Sequence, residues 1–326
     1  MSVKVIITID TEEDQWDQYC NYNTTVYNIE RIGAVQEVFE RHGAIPTYLV
    51  SYAVATNKLA VRLLRSFLDK GSCEIGSHCH PWNTPPISSV NQSTCTMLCD
   101  LSPELIQVKM HSLHQAIVNG FRVSPICFRA GRWGFNSKVA EVISEMGYQI
   151  DTSITPFINW SEYGGPDFTD ANHHAYRFDP RDVNDMTRKG KLIEIPPTIG
   201  FFQKRFNLCR YIMKKMRGDW SSRLHVPGIL DRLHLLNLRW LSPELSTGPD
   251  MIRLSRTFVN AGCQYLNFTF HSNSLLPGKS PFVRDESQLS RFLSAIELFL
   301  SHAKEQGMSF VPLSHVIDVI RPGQNA

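Results

Sequence analysis

Two spacings of apolar residues alternate along the chain. Short apolar runs rich in β-branched residues are typical of strands, and stretches with an apolar residue every three or four positions are typical of amphipathic helices. The strand pattern occurs at Val3–Ile9, Ile45–Val50, Cys73–Ser77, Ile126–Arg129, Tyr148–Thr152, Leu192–Ile195, Tyr265–Phe270 and Ser309–Val311. The helix pattern occurs at Asn28–His42, Leu59–Lys70, Pro103–Asn119, Ser137–Met146, Asp250–Ala261 and Glu286–Glu305, and again from about Ser314.

The order of these elements predicts the fold class. Strands separated by helices are expected to be parallel, because the helix carries the chain back to the same end of the sheet. Seven or eight such units favour an α/β fold, a distorted (β/α) barrel of about seven strands, over the alternative of an open doubly wound sheet. We expect a single barrel domain over residues 1–326. No glycine-rich loop follows the first strand, so dinucleotide binding has no support.

Two segments break the alternation, and we expect both to be insertions over the C-terminal face of the barrel. Residues 155–191, approximately, are rich in glycine, proline, aspartate and aromatic residues, whereas residues 201–247 are basic. The basic residues within Phe201–Arg223 are Lys204, Arg205, Arg210, Lys214, Lys215, Arg217 and Arg223. This charge would suit a lipid-linked or anionic glycan precursor at a membrane surface. A solvated helix face is the simpler explanation.

Composition and charge indicate a globular protein and give no sign of a nucleic acid partner or a membrane span. The chain is 42% hydrophobic and 20% charged, which is typical of a globular protein. Its net charge of +2 gives no reason to expect a nucleic acid partner. The first apolar run is too short for a secretion signal, and no apolar segment has the length of a transmembrane helix. We therefore expect a cytoplasmic protein whose cysteines are reduced and whose membrane contact, if any, is peripheral.

Polar clusters follow five of the predicted strands. These clusters are Asp10–Asp14, His78–Trp82, Arg129–Gly134, Asp151–Ser153 and His271–Asn273. Each alone has an ordinary explanation, since an acidic run is usually a solvated turn and two nearby histidines are usually incidental. However, the carboxyl ends of barrel strands meet on one face, where active sites of this architecture lie. A carboxylate with two histidines is a common ligand set for a divalent metal with open positions.

Four segments resemble successive motifs of one protein family. Thr8–Asp14, Glu74–Trp82, Phe128–Gly134 and Phe270–Asn273 are similar to motifs of the polysaccharide deacetylase family, also called the NodB-homology or carbohydrate esterase family 4 group. The resemblance is closest to the branch found with bacterial exopolysaccharide and lipopolysaccharide assembly, and it covers almost the whole chain. It implies a distorted β/α barrel and a metal-dependent hydrolase that removes an N-acyl group, above all N-acetyl, from an amino sugar of a glycan or glycan precursor.

The resemblance also implies catalytic roles by position. Asp10 matches the family's catalytic base and Arg129 the arginine that holds that base. His271 matches the general acid that protonates the leaving amine, and Asp151 matches the acidic residue that supports this histidine.

The implied metal ligands are Glu12, His78 and His80. Two departures from the family pattern bear on them. Thr11 separates Asp10 from Glu12, so Glu13 and Asp14 remain alternative acidic ligands, and the two histidines are spaced by two residues where many members space them by four. One divalent ion is expected. Zinc suits two imidazoles and a carboxylate, and Co²⁺, Ni²⁺ and Mn²⁺ are alternatives.

Aromatic residues near these motifs are candidates for sugar binding. Trp82, Trp133, Trp160 and Tyr163 could stack on sugar rings, although Trp82 and Trp133 could equally be packing residues. Two other functions remain open. The same site could serve a deformylase or another amide hydrolase, because acyl selectivity depends on pocket shape. Alternatively, the chain could be a non-catalytic glycan-binding protein on a deacetylase scaffold.

Overall fold

The computed structural model describes residues 2–16, 18–19, 21–87, 96–187, 190–216, 231–232 and 235–319. The strands within these ranges are β1 Lys4–Thr11, β2 Thr47–Val50, β3 Glu74–Cys79, β4 Cys127–Ala130, β5 Ile150–Asp151, β6 Tyr176–Asp179, β7 Asp182–Met186, β8 Leu192–Glu194, β9 Ile199–Phe201, β10 Leu238–Trp240, β11 Tyr265–His271 and β12 Ser309–Phe310. The helices are α1 Ile32–His42, α2 Tyr52–Thr56, α3 Lys58–Leu68, α4 Pro103–Phe121, α5 Ser137–Glu145, α6 Phe206–Lys215, α7 Gly248–Asn260, α8 Glu286–Glu305 and α9 Val316–Val319.

Seven parallel strands form the centre of the fold. They are hydrogen-bonded in the order β11-β1-β2-β3-β4-β5-β8, and β12 adds a further parallel pairing to β1. β1 and β2 are buried along almost their whole length, as expected for parallel strands covered on both faces. The α/β fold with a central parallel sheet is therefore confirmed.

The two ends of the parallel sheet are joined by hydrogen bonds rather than by a strand pair among the described residues. Beyond β8, the backbone of Thr198 donates to the carbonyl of Asn267 on β11, 3.0 Å away. The Thr198 hydroxyl accepts from the Asn267 backbone at 2.8 Å, and the Asn267 amide group donates to the Ile195 carbonyl at 3.1 Å. These contacts link the segment that follows β8 to β11.

The first insertion differs in part from the prediction. Instead of lying wholly over the barrel face, residues 155–191 include the strands β6 and β7, which extend the sheet beyond β8 in antiparallel pairs. The hairpin was missed because β7 is polar and gives no strand signal, although the short strand β6 alternates apolar and polar residues. β7, Asp182–Met186, has one apolar residue at its second position and one at its end, so it lacks the alternation that marks a strand.

The second insertion contributes α6 and β10, and β10 forms a small antiparallel sheet with β9. The basic charge of α6 is partly paired, since Lys214 lies 2.6 Å and Arg210 3.6 Å from the carboxylate of Asp170. The predicted basic residues Arg217 and Arg223 lie outside the described residues. Across the described part of the chain, no helix is both long and apolar enough to cross a membrane.

Candidate active site

The sheet register places the predicted site residues side by side. Asp10 at the end of β1 is the register partner of His271 at the end of β11. His78 near the end of β3 is the partner of Arg129 on β4. Because these strands are parallel, the four side chains meet at the same end of the sheet. The expectation that strand-end clusters share one region holds for these four residues.

Arg129 is completely buried and forms a hydrogen-bonded ion pair with Asp10. Its Nη1 donates to Asp10 Oδ1 at 2.6 Å and to the Thr269 hydroxyl at 2.8 Å. The remaining guanidinium nitrogens donate to Thr8 and to the backbone and hydroxyl of Thr152. Burial by itself would raise the pKa of Asp10, but the positive charges around it, that of Arg129 first, together outweigh burial and lower that pKa. Asp10 is therefore ionised at neutral pH.

His271 lies between two carboxylates. Its Nε2 is 3.5 Å from Asp10 Oδ2, and its Nδ1 is 2.9 Å from Glu244 Oε2. Burial lowers the pKa of His271, but the charge of Glu244 and the hydrogen bond with it outweigh burial and raise the pKa to about 9. The imidazole is therefore protonated at neutral pH, with one N–H directed to Glu244 and the other towards Asp10. The ring edge of Trp16 packs against it at 4.8 Å between centroids.

The prediction that Asp151 supports His271 is wrong, because the carboxylate that contacts His271 belongs to Glu244. The oxygens of Asp151 instead accept hydrogen bonds from Ser153. Burial raises the pKa of Asp151, and burial together with the charge of Asp151 raises that of Glu194. Asp151 and Glu194 thus form a buried pair of carboxyl groups with raised pKa values.

Glu244 was missed because no motif marks it. It lies in the turn between β10 and α7, within the second insertion and 27 residues before His271. Its Oε1 accepts from the backbone N–H of His271 at 3.0 Å and from the Ser274 hydroxyl. These bonds fix the carboxylate in place. Glu244 is one of three acids in this insertion, with Asp219 and Asp231, and no sequence feature distinguishes it from them.

Glu12, His78 and His80 form a cluster of three potential ligands. Glu12 Oε2 lies 3.3 Å from His78 Nε2 and 3.2 Å from His80 Nε2, and the two Nε2 atoms are 2.9 Å apart. All three residues are buried. Of the three acids left open by the sequence, the structure thus places Glu12 against the histidines.

The hydrogen bonds of the two rings test whether this cluster fits a cation. His78 Nδ1 faces the carbonyl oxygen of Arg129 at 3.1 Å, and His80 Nδ1 faces Glu13 Oε1 at 2.8 Å. Both acceptors call for an N–H at Nδ1, which leaves the Nε2 lone pairs directed at each other and at Glu12. Lone pairs in such contact repel unless a positive charge lies between them, so the donor set fits a divalent cation.

A proton competes with a cation for this position. Burial lowers the pKa of His80, but the charges of Glu13 and Glu12 outweigh burial and raise it to about 10. The same negative charges favour a bound metal ion, whose binding would release the proton.

The other two acids of the first motif have different contacts. Glu13 Oε1 accepts from His80 and, at 3.1 Å, from the indole N–H of Trp82. Asp14 accepts from the backbone N–H groups of Tyr27 and Asn28, away from the histidines. Glu13 therefore orients a candidate ligand, and Asp14 stabilises the chain around Tyr27.

These groups line a cavity of about 460 Å³ with many aromatic walls. The predicted sugar-binding residues Trp82, Trp133, Trp160 and Tyr163 all line it. Trp82 is buried and stacks on His80 at 4.1 Å between ring centroids, so it packs a candidate metal ligand. Tyr163 is 64% exposed and lies at the rim. Four further aromatic residues of the lining were not foreseen: Trp16, Tyr19, Trp240 and Phe282.

Among solved structures, the chain is similar to a candidate polysaccharide deacetylase from Mycobacterium smegmatis. The two share 14% identity with a TM-score of 0.53, over 99% of this chain and 93% of the other. The chain has the polysaccharide deacetylase fold. A family 4 acetyl xylan esterase from Clostridium thermocellum, in complex with cobalt, has 11% identity and a TM-score of 0.44 over 98% and 94% of the chains, which is too low to support an argument.

No family model and no curated protein matches the sequence. At 14% identity, the likeness to the Mycobacterium smegmatis protein extends to the polysaccharide deacetylase fold alone. A fold of this kind can host several chemistries, so function has to be argued from the side chains of the site.

Proposed function

We propose that the protein is a metal-dependent hydrolase that removes an N-acyl group, most simply N-acetyl, from an amino sugar of a glycan or glycan precursor. One observation carries the proposal: a candidate metal cluster, an ionised carboxylate and a protonated imidazole line the same aromatic cavity. Amide hydrolysis needs these three components, namely an electrophile, a base for the attacking water and an acid for the leaving nitrogen.

Glu12, His78 and His80 are the residues that would hold the metal, and zinc suits their two imidazoles and one carboxylate. When bound, a divalent ion supplies Lewis acidity that polarises the amide carbonyl and lowers the pKa of water. Glu13 and the Arg129 carbonyl keep the two rings in the tautomer that such an ion requires.

Asp10 and His271 would carry the proton transfers. Asp10, held ionised by Arg129, accepts a proton from the water that attacks the amide carbon. His271, held protonated by Glu244, donates its Nε2 proton to the sugar nitrogen as the carbon–nitrogen bond breaks. The products are the free carboxylic acid and the amino sugar. The two groups are 3.5 Å apart, so both reach one reacting centre.

The aromatic side chains that line the cavity suit a sugar substrate. The rings of Trp133 and Trp240 lie 5.7 Å apart at its wall, and Trp160 lies 6.2 Å from Tyr163 at the rim. The flat apolar faces of a sugar ring pack well on such side chains, and the hydroxyl groups remain free for hydrogen bonds.

The proposal is tested by turnover of N-acetylglucosamine oligosaccharides with metal-stripped and reconstituted protein. We expect about one divalent ion per chain, release of acetate and free amine in equal amounts, loss of activity on stripping, and recovery with zinc. Oligosaccharide binding without acetate release by the reconstituted protein would favour the glycan-binding alternative. Release of formate but not acetate from matched substrates would favour the deformylase alternative.

A further inference from the structure

One cation in the cavity is not used by the proposed reaction. Among the described residues that line the cavity, Arg132 is the only lysine or arginine. Its guanidinium lies 4.6 Å from the ring centroid of Tyr19 and donates to the hydroxyl of Thr96. Both partners are uncharged. Within the described ranges of the chain, no carboxylate pairs with Arg132.

The carboxylates of the cavity, by contrast, already have basic partners. The pairs are Asp10 with Arg129, Glu12 with His78 and His80, Glu13 with His80, and Glu244 with His271. Since no described carboxylate of the lining is left to neutralise Arg132, its positive charge is available to a ligand.

The backbone holds Arg132 beside the candidate metal ligands. The preceding residue, Gly131, packs so closely on His80 that a Cβ there would lie 2.4 Å from the ring carbon Cδ2. Arg132 and Trp133 then both adopt left-handed conformations, with φ of 53° and 59°. Such conformations are costly for residues other than glycine and concentrate at ligand-binding positions. Arg132 is thus placed by a constrained turn that contacts the site.

We propose that Arg132 binds an anionic group of the substrate, so that the glycan carries a carboxylate or a phosphodiester near the N-acyl amino sugar. A guanidinium presents paired N–H donors that match the oxygens of either group. The cation–π contact with Tyr19 uses none of these donors, and the bond to Thr96 uses one. This inference rests on the proposed function for the reaction. The requirement for a negative charge on the substrate rests on Arg132 alone.

A matched set of disaccharides tests the inference. N-acetylglucosamine is joined to a neutral hexose, a hexuronic acid, the methyl ester of that acid, or a hexose carrying a phosphodiester. The wild-type protein should have a lower KM for one of the anionic compounds than for the neutral ones, and added salt should reduce the difference. The preferred anionic compound identifies the group as a carboxylate or a phosphodiester.

Substitution of Arg132 should change this selectivity. Arg132→Gln should lower the ratio of kcat/KM for the anionic over the neutral compound by about 10- to 100-fold, the range for a charge-assisted hydrogen bond. Arg132→Lys should retain part of the ratio. The control is Arg122→Gln, because Arg122 is exposed at the end of α4 and also has a left-handed φ, of 63°. It should leave the ratio unchanged.

Equal changes of the ratio in Arg132→Gln and Arg122→Gln, or equal KM values for the neutral and both anionic compounds in the wild type, would overturn the inference. Calorimetry of the same disaccharides with Asp10→Asn protein measures binding without turnover. Comparing this protein with the Asp10→Asn, Arg132→Gln double variant tests the anion site separately from the proposed reaction. If no compound is hydrolysed but the anionic one binds more tightly only when Arg132 is present, the reaction is wrong and the anion site stands. If hydrolysis occurs without any preference, the anion site is wrong and the reaction stands.

Discussion

At the scale of single residues, charged neighbours set the charge states of the site against the effect of burial. Asp10 stays ionised although it is buried, because Arg129 lies 2.6 Å away. His271 stays protonated because Glu244 lies 2.9 Å from its Nδ1. The strand-end positions of Asp10, Arg129 and His271 could be predicted because each stands at the end of an apolar run, and their roles were implied by the family resemblance. The role of Glu244 could not be predicted. The turn between β10 and α7 brings it to His271, and nothing in the local sequence indicates that contact.

The assignment of Glu244 predicts a shift in pH dependence. His271 must be protonated to act as an acid, so activity should fall as pH rises through its pKa. Glu244→Gln removes the charge that raises this pKa. The alkaline limb of the kcat/KM profile should therefore move to lower pH, and kcat at neutral pH should fall by about 10- to 100-fold, part of the contribution of a general acid.

The control variant is Asp151→Asn. Asp151 is the residue that the family resemblance assigned to the support of His271. Asp151 contacts Ser153 and lies beside Glu194, so Asp151→Asn should leave the alkaline limb in place. A shift of that limb with Asp151→Asn and none with Glu244→Gln would reverse the assignment.

At the scale of secondary-structure elements, the buried parallel strands could be predicted from the sequence, and the hairpin of β6 and β7 could not. β1 and β2 carry apolar runs because both faces of each strand are covered. β7 lies at the edge of the sheet, where fewer apolar residues are needed. The turn after β4 was also beyond prediction, since its two left-handed residues are not glycines. This turn nevertheless determines how closely the chain approaches His80.

Adding one methyl group to this turn should disturb the site. In Gly131→Ala, the new Cβ would lie 2.4 Å from His80 Cδ2 and 2.7 Å from the Cys79 carbonyl oxygen. The turn and the ring cannot both keep their positions. We expect a loss of about 1–3 kcal/mol in the free energy of unfolding, as for overpacked cores, together with weaker metal binding.

The control for this experiment is Gly33→Ala in α1, where no atom lies within 4 Å of the new Cβ. Because alanine favours helix more than glycine does, this variant should be as stable as the wild type or more so, by up to about 1 kcal/mol. Chemical denaturation and titration with zinc measure both quantities. Normal zinc affinity in Gly131→Ala would show that the turn does not position His80.

At the scale of the whole molecule, the site is assembled from both ends of the chain. β11 lies beside β1 in the sheet, so Asp10 and His271, 261 positions apart, become register partners. The Glu12 carboxylate also accepts a hydrogen bond from Asn273, which follows β11. The repeated strand–helix order was enough to predict this convergence, because parallel strands in one sheet share an end. It was not enough to predict that the second insertion contributes Glu244 and Trp240 to the cavity.

The central claim of this account is that metal binding and proton transfer belong to different residues of one site. The most direct test measures zinc content and acetate release in the same preparations of four proteins: wild type, Asp10→Asn, Glu12→Ala, and the surface control Glu286→Gln. Asp10→Asn should keep about one zinc per chain while acetate release falls by about 10²- to 10⁴-fold, the range for a positioned base. Glu12→Ala should lose zinc and activity together, and Glu286→Gln should match the wild type. An Asp10→Asn protein without zinc beside a Glu12→Ala protein that retains it would contradict the account.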